Sequence, residues 1–565
     1  MVHAAVHGHF YQPPREMPSN GCVPVEPSAA PAHDWNERIT DECYAPNAAA
    51  RIVDSAGRIL AIVNNFELLS FDLGPTLARW LELARPNVHA KIVAADRVAK
   101  TAVAQPFHHV ILPLATPRDR RTELLWGLAD FQARFGRTAE AVWLPETGVD
   151  AATMQTLADL GVGATILMAD QAASPVDPSL PYRWTDAGGR SVSMAFADQS
   201  FSHDLAFGVM GGNAEALVNR AESVAKGRLG LAATDGETFG HHHSFSERTV
   251  AFALGVLARR RGFTTGSVAG WLQQQEPGQI VSVRESAWSC AHGLGRWQID
   301  CGCSTGGRSG SNQAWRAPLR AALDVVRDEA ARIFSTVGDD YFTDPWAARD
   351  GYGEVLANSE SREAFSALFL RPGVDAVIAF ELLESQRHAL AMYTSCAWFF
   401  HDLAGLETVL VMRHAARCLD LIRHATGERI PLEPVFARLG IANSNDPSEG
   451  SGVDIWRRHV EPVRDLDAEV VPVSVPEETA MGAVVTHAVN RAVANRTPAD
   501  ISRARDVVRL AGFGRVLEAA QEQVYEVLLK QGDAAASLES LGVDLGLAVG
   551  RLGLDRLVES SATLA

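Results

Sequence analysis

Over roughly its first 270 residues the chain alternates short apolar runs with amphipathic stretches, and this alternation limits its fold more than any other feature. Strands are predicted at "HAAVHGHF" (3–10), "LLSFDL" (68–73), "AEAVWLPE" (139–146), "ATILMA" (164–169), "SVSMAF" (191–196) and "GLAATDG" (230–236). Helices are predicted at 47–64, 75–84, 117–134, 151–160 and 214–226. Strands alternating with helices build βαβ units around a parallel sheet. Several predicted strands end in residues that carry chemistry: His7 and His9, then Glu146, then Asp235. Functional groups of a β/α barrel gather at the C-terminal ends of its strands, which favours a barrel over an open sheet.

From about residue 312 the pattern changes. Apolar residues recur at spacings of three and four over 312–337, 361–370, 375–402 and 406–426, as in a helical bundle. The polar break "NSNDPSEGSGV" (443–453) reads as a loop or boundary. Beyond it, "VVPVSV" (470–475) reads as one strand and 501–533 as helix. With 565 residues, two or three domains are expected. We divide the chain into a barrel over 1–285, a loop plus helical domain over 286–430, and a mostly helical C-terminal region over 431–565.

The balance of 51 basic and 68 acidic residues, a net charge of −17, argues against a polyanionic partner, because phosphate contacts need clustered Lys and Arg. No Gly-rich phosphate loop is present, so no nucleotide site is expected. The N-terminus lacks a basic segment followed by an apolar one, and no run of about 18 apolar residues exists; neither a signal peptide nor a membrane span is expected. Seven cysteines in a large chain suit reduced thiols, hence a cytoplasmic protein.

Each candidate site residue has a plain reading beside the chemical one. Glu146, in "VWLPETGVD", is either a catalytic carboxylate or, with Thr147, a helix-capping residue. Trp143 just before it offers a flat apolar face for a sugar ring. Asp235, in "ATDGETFGHHH", is either catalytic or a turn residue bonded to its own backbone. The two gain weight together, since strand ends of one barrel face each other across its mouth. Opposed carboxylates cleave glycosidic bonds: one attacks the anomeric carbon and the other protonates the leaving oxygen. His7 and His9, at positions i and i+2 of a strand, project to the same side, as metal ligands, sugar hydrogen-bond donors or buried polar residues. His241, His242 and His243 are adjacent and cannot all face one point; Ser244 or Ser246 is expected to cap a following helix. In "SAWSCAHGLGRWQIDCGCSTGG" (286–307), Cys290, His292, Cys301 and Cys303 form a C-x-H…C-x-C pattern. Its one-residue gaps strain simultaneous zinc ligation. The preferred reading is a glycine-rich loop that lays Trp288 and His292 over a pocket beside small buried cysteines, with no metal and no cofactor. "YTSCAWFFHD" (393–402) lies in a helical pattern and reads as core, though Trp398 could reach the barrel mouth.

These motifs resemble glycoside hydrolase family 57. "HGHFYQP" is similar to the family's first motif, which would make His7, His9 and Gln12 substrate-binding. "FHHVILPLA" (107–115) is similar to its second, "WLPE" to its third, "DGETFG" to its fourth, and "SCAWFFHD" loosely to its fifth. The resemblance spans roughly residues 1–420. It implies a (β/α)7 barrel of the glycoside hydrolase/deacetylase type followed by helical segments. It also implies a retaining hydrolase or transglycosylase of α-linked glucans, with Glu146 as nucleophile and Asp235 as general acid/base. His7, His9, Glu237, one of the 241–243 histidines (His241) and the tryptophans would hold the sugar. Three departures stand out: Phe10 and Tyr11 separate His9 from Gln12, Gln105 is the nearest polar residue where a glutamate often precedes the second-motif histidine, and Cys396 and Ala397 stand where an aspartate is common. The alternatives are a metal-dependent deacetylase using His7, His9, Asp235 and the 241–243 histidines, and a barrel that binds glucan without cleaving it.

Overall fold

The computed structural model describes residues 1–276, 278–464, 480–511 and 517–559. Strand β1 (His3–Phe10) is buried along its whole length, as a strand covered on both faces must be. It lies between β7 (Leu229–Asp235) and β2 (Ser70–Leu73), both parallel to it. From β2 the sheet continues through β3 (Ala102–Val103), β4 (Ala141–Val142), β5 (Ala164–Met168) and β6 (Ser191–Ala197). The Ala104–Val142 bridge joins β3 to β4. The Asp198 amide donates to the Leu231 carbonyl, 2.9 Å away, and brings β6 back to β7. Seven parallel strands therefore close into a ring, in the order 7-1-2-3-4-5-6, as a (β/α)7 barrel requires.

The interior of the ring is lined by small residues, among them Ala5, Ala141, Ala164, Ala195, Ala197 and Ala233. Among them stand larger side chains, Ile166, Met168, Leu229, Leu231 and the fully buried Trp143. A short helix, Val268–Gln273, packs Val268, Trp271 and Leu272 into the same cluster. The barrel is thus a filled core rather than a pore.

Helices α1 (Pro75–Ala84), α2 (Pro117–Phe135), α3 (Ala151–Asp159) and α4 (Ala214–Ala225) occur where the sequence pattern predicts them. Farther along, α5 (Arg316–Tyr341), α6 (Ala376–Ala391) and α7 (Leu406–Thr426) pack on one another, and their apolar stripes join the core that surrounds the barrel.

Three sequence expectations are corrected. Residues 47–64 are not a helix but an antiparallel hairpin, Ala50–Val53 against Ile59–Val63. The β-branched run around "DSAGR" decides this: Asp54 accepts from the amides of Ala56 and Arg58, each at 3.0 Å, and Gly57 takes φ +76°, which turns the chain back. The hairpin then serves as a seat. Ile59 exchanges backbone hydrogen bonds with Gly546 and Ala548 and joins the core of the C-terminal helices. Second, the predicted 375–402 helix ends at Ala391, and Ser395–Trp398 is one tight turn. Third, neither Ser244 nor Ser246 caps the helix Ser246–Phe252; the Ser246 hydroxyl donates to the carbonyls of Thr238 and His243. The predicted strand at 470–475 lies outside the described residues. Over 501–533, the described parts are the helices Pro498–Ala511 and Glu518–Gln531. No helix among the described residues is long and apolar enough to cross a membrane.

Candidate active site

The pairing register assembles one half of the site. His9 is the Cα partner of Asp72 on β2 and of Asp235 on β7. Neighbouring strands lie about 4.8 Å apart, so these three side chains stand in a row at the strands' C-terminal ends. His7 and His9 both reach Asp72, as strand alternation requires: His7 Nε2 is 3.0 Å from Oδ1 and His9 Nδ1 is 2.8 Å from Oδ2. His7 Nδ1 meets the Ser70 hydroxyl at 3.0 Å. His9 Nε2 is 3.0 Å from His109 Nε2, and His109 Nδ1 is 2.7 Å from the Ser395 hydroxyl.

Charge explains how the protons are shared. Burial disfavours the His9 cation, but Asp72, through charge and hydrogen bond, and then Asp235 and Glu237 outweigh it and raise His9 to about 9. Burial and the neighbouring His9 charge push His109 well below the usual histidine range. His9 is therefore the cation that donates to both Asp72 and a neutral His109. Burial likewise lowers His7. Asp235 is exposed at the end of its strand, with protein packed closely around its carboxyl. Poor hydration is the main reason its carboxyl rises to about 7; His9 opposes the rise, while Glu237, Glu146 and Asp72 add to it.

Gly236 fixes the turn after Asp235. A Cβ there would sit 2.4 Å from the Phe10 ring, so only glycine permits this approach. Phe10 packs away from His9 against Tyr44, Phe66 and Phe71, and Tyr11 stacks on His109 at 3.8 Å. The two residues inserted between His9 and Gln12 thus have separate places, one in the core and one against the site. Gln12 donates to the Tyr44 hydroxyl at 3.2 Å, and Tyr44 donates to Glu237 at 2.5 Å. Burial raises the Glu237 carboxyl, with the Tyr44 hydrogen bond opposing.

Glu146 belongs to a different kind of structure. It follows β4 on a tight turn in which both Glu146 (φ 56°) and Thr147 (φ 50°) are left-handed. Such backbone costs roughly 1–3 kcal/mol per residue and persists only where its surroundings hold it. Residues 286–289 hold it. Val149 and Ser286 exchange backbone hydrogen bonds, and the Trp288 amide donates to the Glu146 carbonyl and the Thr147 hydroxyl, each at 3.0 Å. Two side-chain donors converge on Glu146 Oε2: Trp288 Nε1 at 2.9 Å and the Ser289 hydroxyl at 2.6 Å. Glu146 and Thr147 do not cap the next helix, since Asp150 does so by accepting from the Thr153 amide.

Other sequence-predicted residues lie elsewhere. Trp143 is not a sugar platform in this structure; it is fully buried beneath the site, stacked on His7 at 4.4 Å with Trp288 edge-on at 5.2 Å. Trp398 does not reach the barrel mouth. It is fully buried, donates to the Arg316 carbonyl at 3.2 Å and lies under the Arg320 guanidinium. From the same turn Ser395 contacts His109, and the partly exposed Cys396 is close enough to Glu146 and Tyr11 to interact electrostatically. The adjacent histidines diverge: His241 pairs with Glu42 at 2.5 Å, and His243 faces the Ala206 carbonyl at 2.8 Å. Desolvation by the protein around it, followed by its two histidine neighbours, lowers His242 to about 4. With both His9 nitrogens engaged and these histidines apart, His7, His9, Asp235 and 241–243 do not form a deacetylase-type ligand set. His292 does not lie over the carboxylates; it sits with Cys290, Cys301 and Cys303, whose ligand atoms and its own all lie within 4.8 Å of one another. The one-residue gaps, expected to strain simultaneous ligation, do not prevent these four groups from gathering.

Sequence reasoning passed over Asp72, His109, Tyr44, Ser289 and Ser395. Asp72 was within reach, because it is a carboxylate ending a predicted strand, the rule that selected Glu146 and Asp235.

A closed parallel barrel with carboxylates at its C-terminal mouth is a scaffold that carries enzyme sites at that face. The model of glycosyl hydrolase family 57 matches residues 38–260, and that of a domain of unknown function, DUF3536, matches residues 312–489. The likeness to glycosyl hydrolase family 57 thus covers the barrel portion of the chain, residues 38–260. It is similar in fold to the exo-type maltose-forming amylase of Pyrococcus sp. ST04, with 13% identity, a TM-score of 0.59, and 96% of this chain and 95% of that chain covered. The branching enzyme of Pyrococcus horikoshii aligns with 13% identity and a TM-score of 0.49 over 79% of this chain and 95% of that one. No curated protein matches the chain.

Proposed function

We propose that this protein is a retaining glycoside hydrolase or transglycosylase of α-linked glucans, with Glu146 as nucleophile and Asp235 as general acid/base. The observation that carries the reading is the contrast between the two carboxylates. Glu146 has one oxygen fixed by two donors, which aims Oε1 at a substrate. Asp235 is held as a weak acid at about 7, suited to giving and taking a proton near neutrality.

In the first step Glu146 Oε1 bonds to the anomeric carbon while the glycosidic C–O bond breaks, and the Asp235 proton goes to the leaving oxygen. In the second step Asp235 takes a proton from water or an acceptor hydroxyl, whose oxygen displaces Glu146. The His9 cation stabilises the Asp235 carboxylate between the steps. Glu237 and the partly exposed Trp288 are the substrate contacts we favour, with His7, Gln12 and Trp143 beneath them as support. We also retain the division into a barrel to 285, a helical domain to 430 and a C-terminal region. Trapping with a fluorinated α-glucosyl substrate, followed by peptide mapping, is expected to place the label on Glu146. A label on any other residue overturns the assignment.

A further inference from the structure

The segment after Ser289 carries chemistry that the proposed reaction does not use. We propose that Cys290, His292, Cys301 and Cys303 bind one zinc-class cation that staples the loop holding Glu146. The site stands on its own geometry; its effect on Glu146 rests on the function proposed above.

Three thiols and an imidazole offer ligand atoms all within 4.8 Å of one another, and His292 Nδ1 is 3.4 Å from Cys303 Sγ. Tetrahedral zinc, with bonds of about 2.3 Å to sulfur and about 2.0 Å to nitrogen, spaces its ligands roughly 3.5–3.8 Å apart, so only a small inward movement is needed. The two C-x-H and C-x-C arms come from one loop folded back on itself through the Gly295–Trp297 turn. Trp297 anchors that turn, fully buried and donating to the Ser395 carbonyl at 3.2 Å. An all-sulfur-and-imidazole set selects zinc-class cations over magnesium or calcium, which take oxygen.

The surroundings suit the bound charge. Three thiolates and a neutral imidazole around a dication leave one negative charge. The buried Arg316 guanidinium lies 3.8 Å from Cys301 Sγ, and the Arg296 amide donates to Cys290 Sγ at 3.3 Å. Such outer partners orient and stabilise thiolate ligands.

Position supplies the consequence. Cys290 directly follows Ser289 and lies two residues after Trp288, the two donors to Glu146 Oε2. A cation at Cys290 fixes the far end of the clamp that the left-handed Glu146–Thr147 turn needs.

The test uses the full chain purified without chelator or affinity metal. Elemental analysis is expected to find one zinc per chain. Exchange with cobalt(II) is expected to give thiolate-to-cobalt absorption and the intense visible bands of a tetrahedral site. Cys303→Ser and His292→Ala are expected to lose the metal, while Cys22→Ser retains it. The cobalt spectrum of the unaltered chain decides the matter if a variant does not fold. No stoichiometric cation, a cobalt spectrum without thiolate absorption, or a disulfide among these cysteines in the freshly purified protein overturns the proposal. Removing the metal is expected to slow glucan turnover about 10- to 100-fold. Metal content is read without sugar, so the site can stand if the glucan reading fails. Conversely, a chain that is metal-free as purified yet labels at Glu146 would defeat the metal site alone.

Discussion

Glu146 and Asp235 stand at the same end of one barrel, yet they are held in opposite ways. Asp235 is the last residue of β7, in register with His9 and Asp72, and its position follows from backbone pairing and the close fit of Gly236 on Phe10. Glu146 lies beyond a two-residue strand on a left-handed turn, and a loop whose Trp288 is 142 residues later holds it. The sheet places the proposed proton donor and an appended loop places the proposed nucleophile. The acid half should therefore tolerate changes in the loop, while the nucleophile half should not.

The largest expected effect tests this contrast at its source. Glu146→Gln is expected to lower kcat on every α-glucan by about 10³-fold or more, because no covalent intermediate forms. Asp235→Asn should lower kcat by roughly 10²–10⁴-fold on substrates with poor leaving groups, yet spare glycosyl transfer to Glu146 from a glycosyl fluoride, whose leaving group needs no proton. Equal losses on both substrates would dissolve the distinction.

Next in size are the clamp variants. Trp288→Phe and Ser289→Ala each remove one donor to Oε2 and are expected to reduce kcat by about 10²-fold, the usual cost of losing one oriented donor at a reacting centre. Steady-state kinetics should show the alkaline limb of the pH profile unmoved, since Asp235 is held by the sheet.

That limb is the third prediction. The general acid must carry its proton, so kcat/KM is expected to fall as pH rises through about 7, where Asp235 titrates. A profile flat to pH 9 would exclude Asp235 as the acid.

The smallest effect concerns stability. His9 is raised from 6.5 to about 9 in the folded protein. Its contribution is therefore complete below pH 6.5 and lost as pH rises through 9. Thermal unfolding should show a Tm that declines over that window, and His9→Gln should flatten the decline.

How far the sequence revealed this arrangement depends on whether the deciding contact is local. Strand ends loaded with His7, His9, Glu146 and Asp235 were legible because strand alternation and position along a βα unit are local properties. The hairpin at 50–63 was not, because its form depends on the Asp54–Gly57 turn together with its seat on Gly546 and Ala548, far away in sequence. Trp143 and Trp398 were misplaced because an aromatic beside a motif does not show which way it points. His109, Ser395 and the Cys290–Cys303 cluster depend on segments far apart in sequence or on a loop folding back on itself, and neither leaves a periodic trace.

The most direct test of the account is the stereochemistry of the first product. Proton NMR of a malto-oligosaccharide digest, recorded before mutarotation, is expected to show the α-anomer first, because displacement by Glu146 and then by water restores the starting configuration. Initial release of the β-anomer would mean a single displacement and would contradict the role of Glu146 on which the account rests.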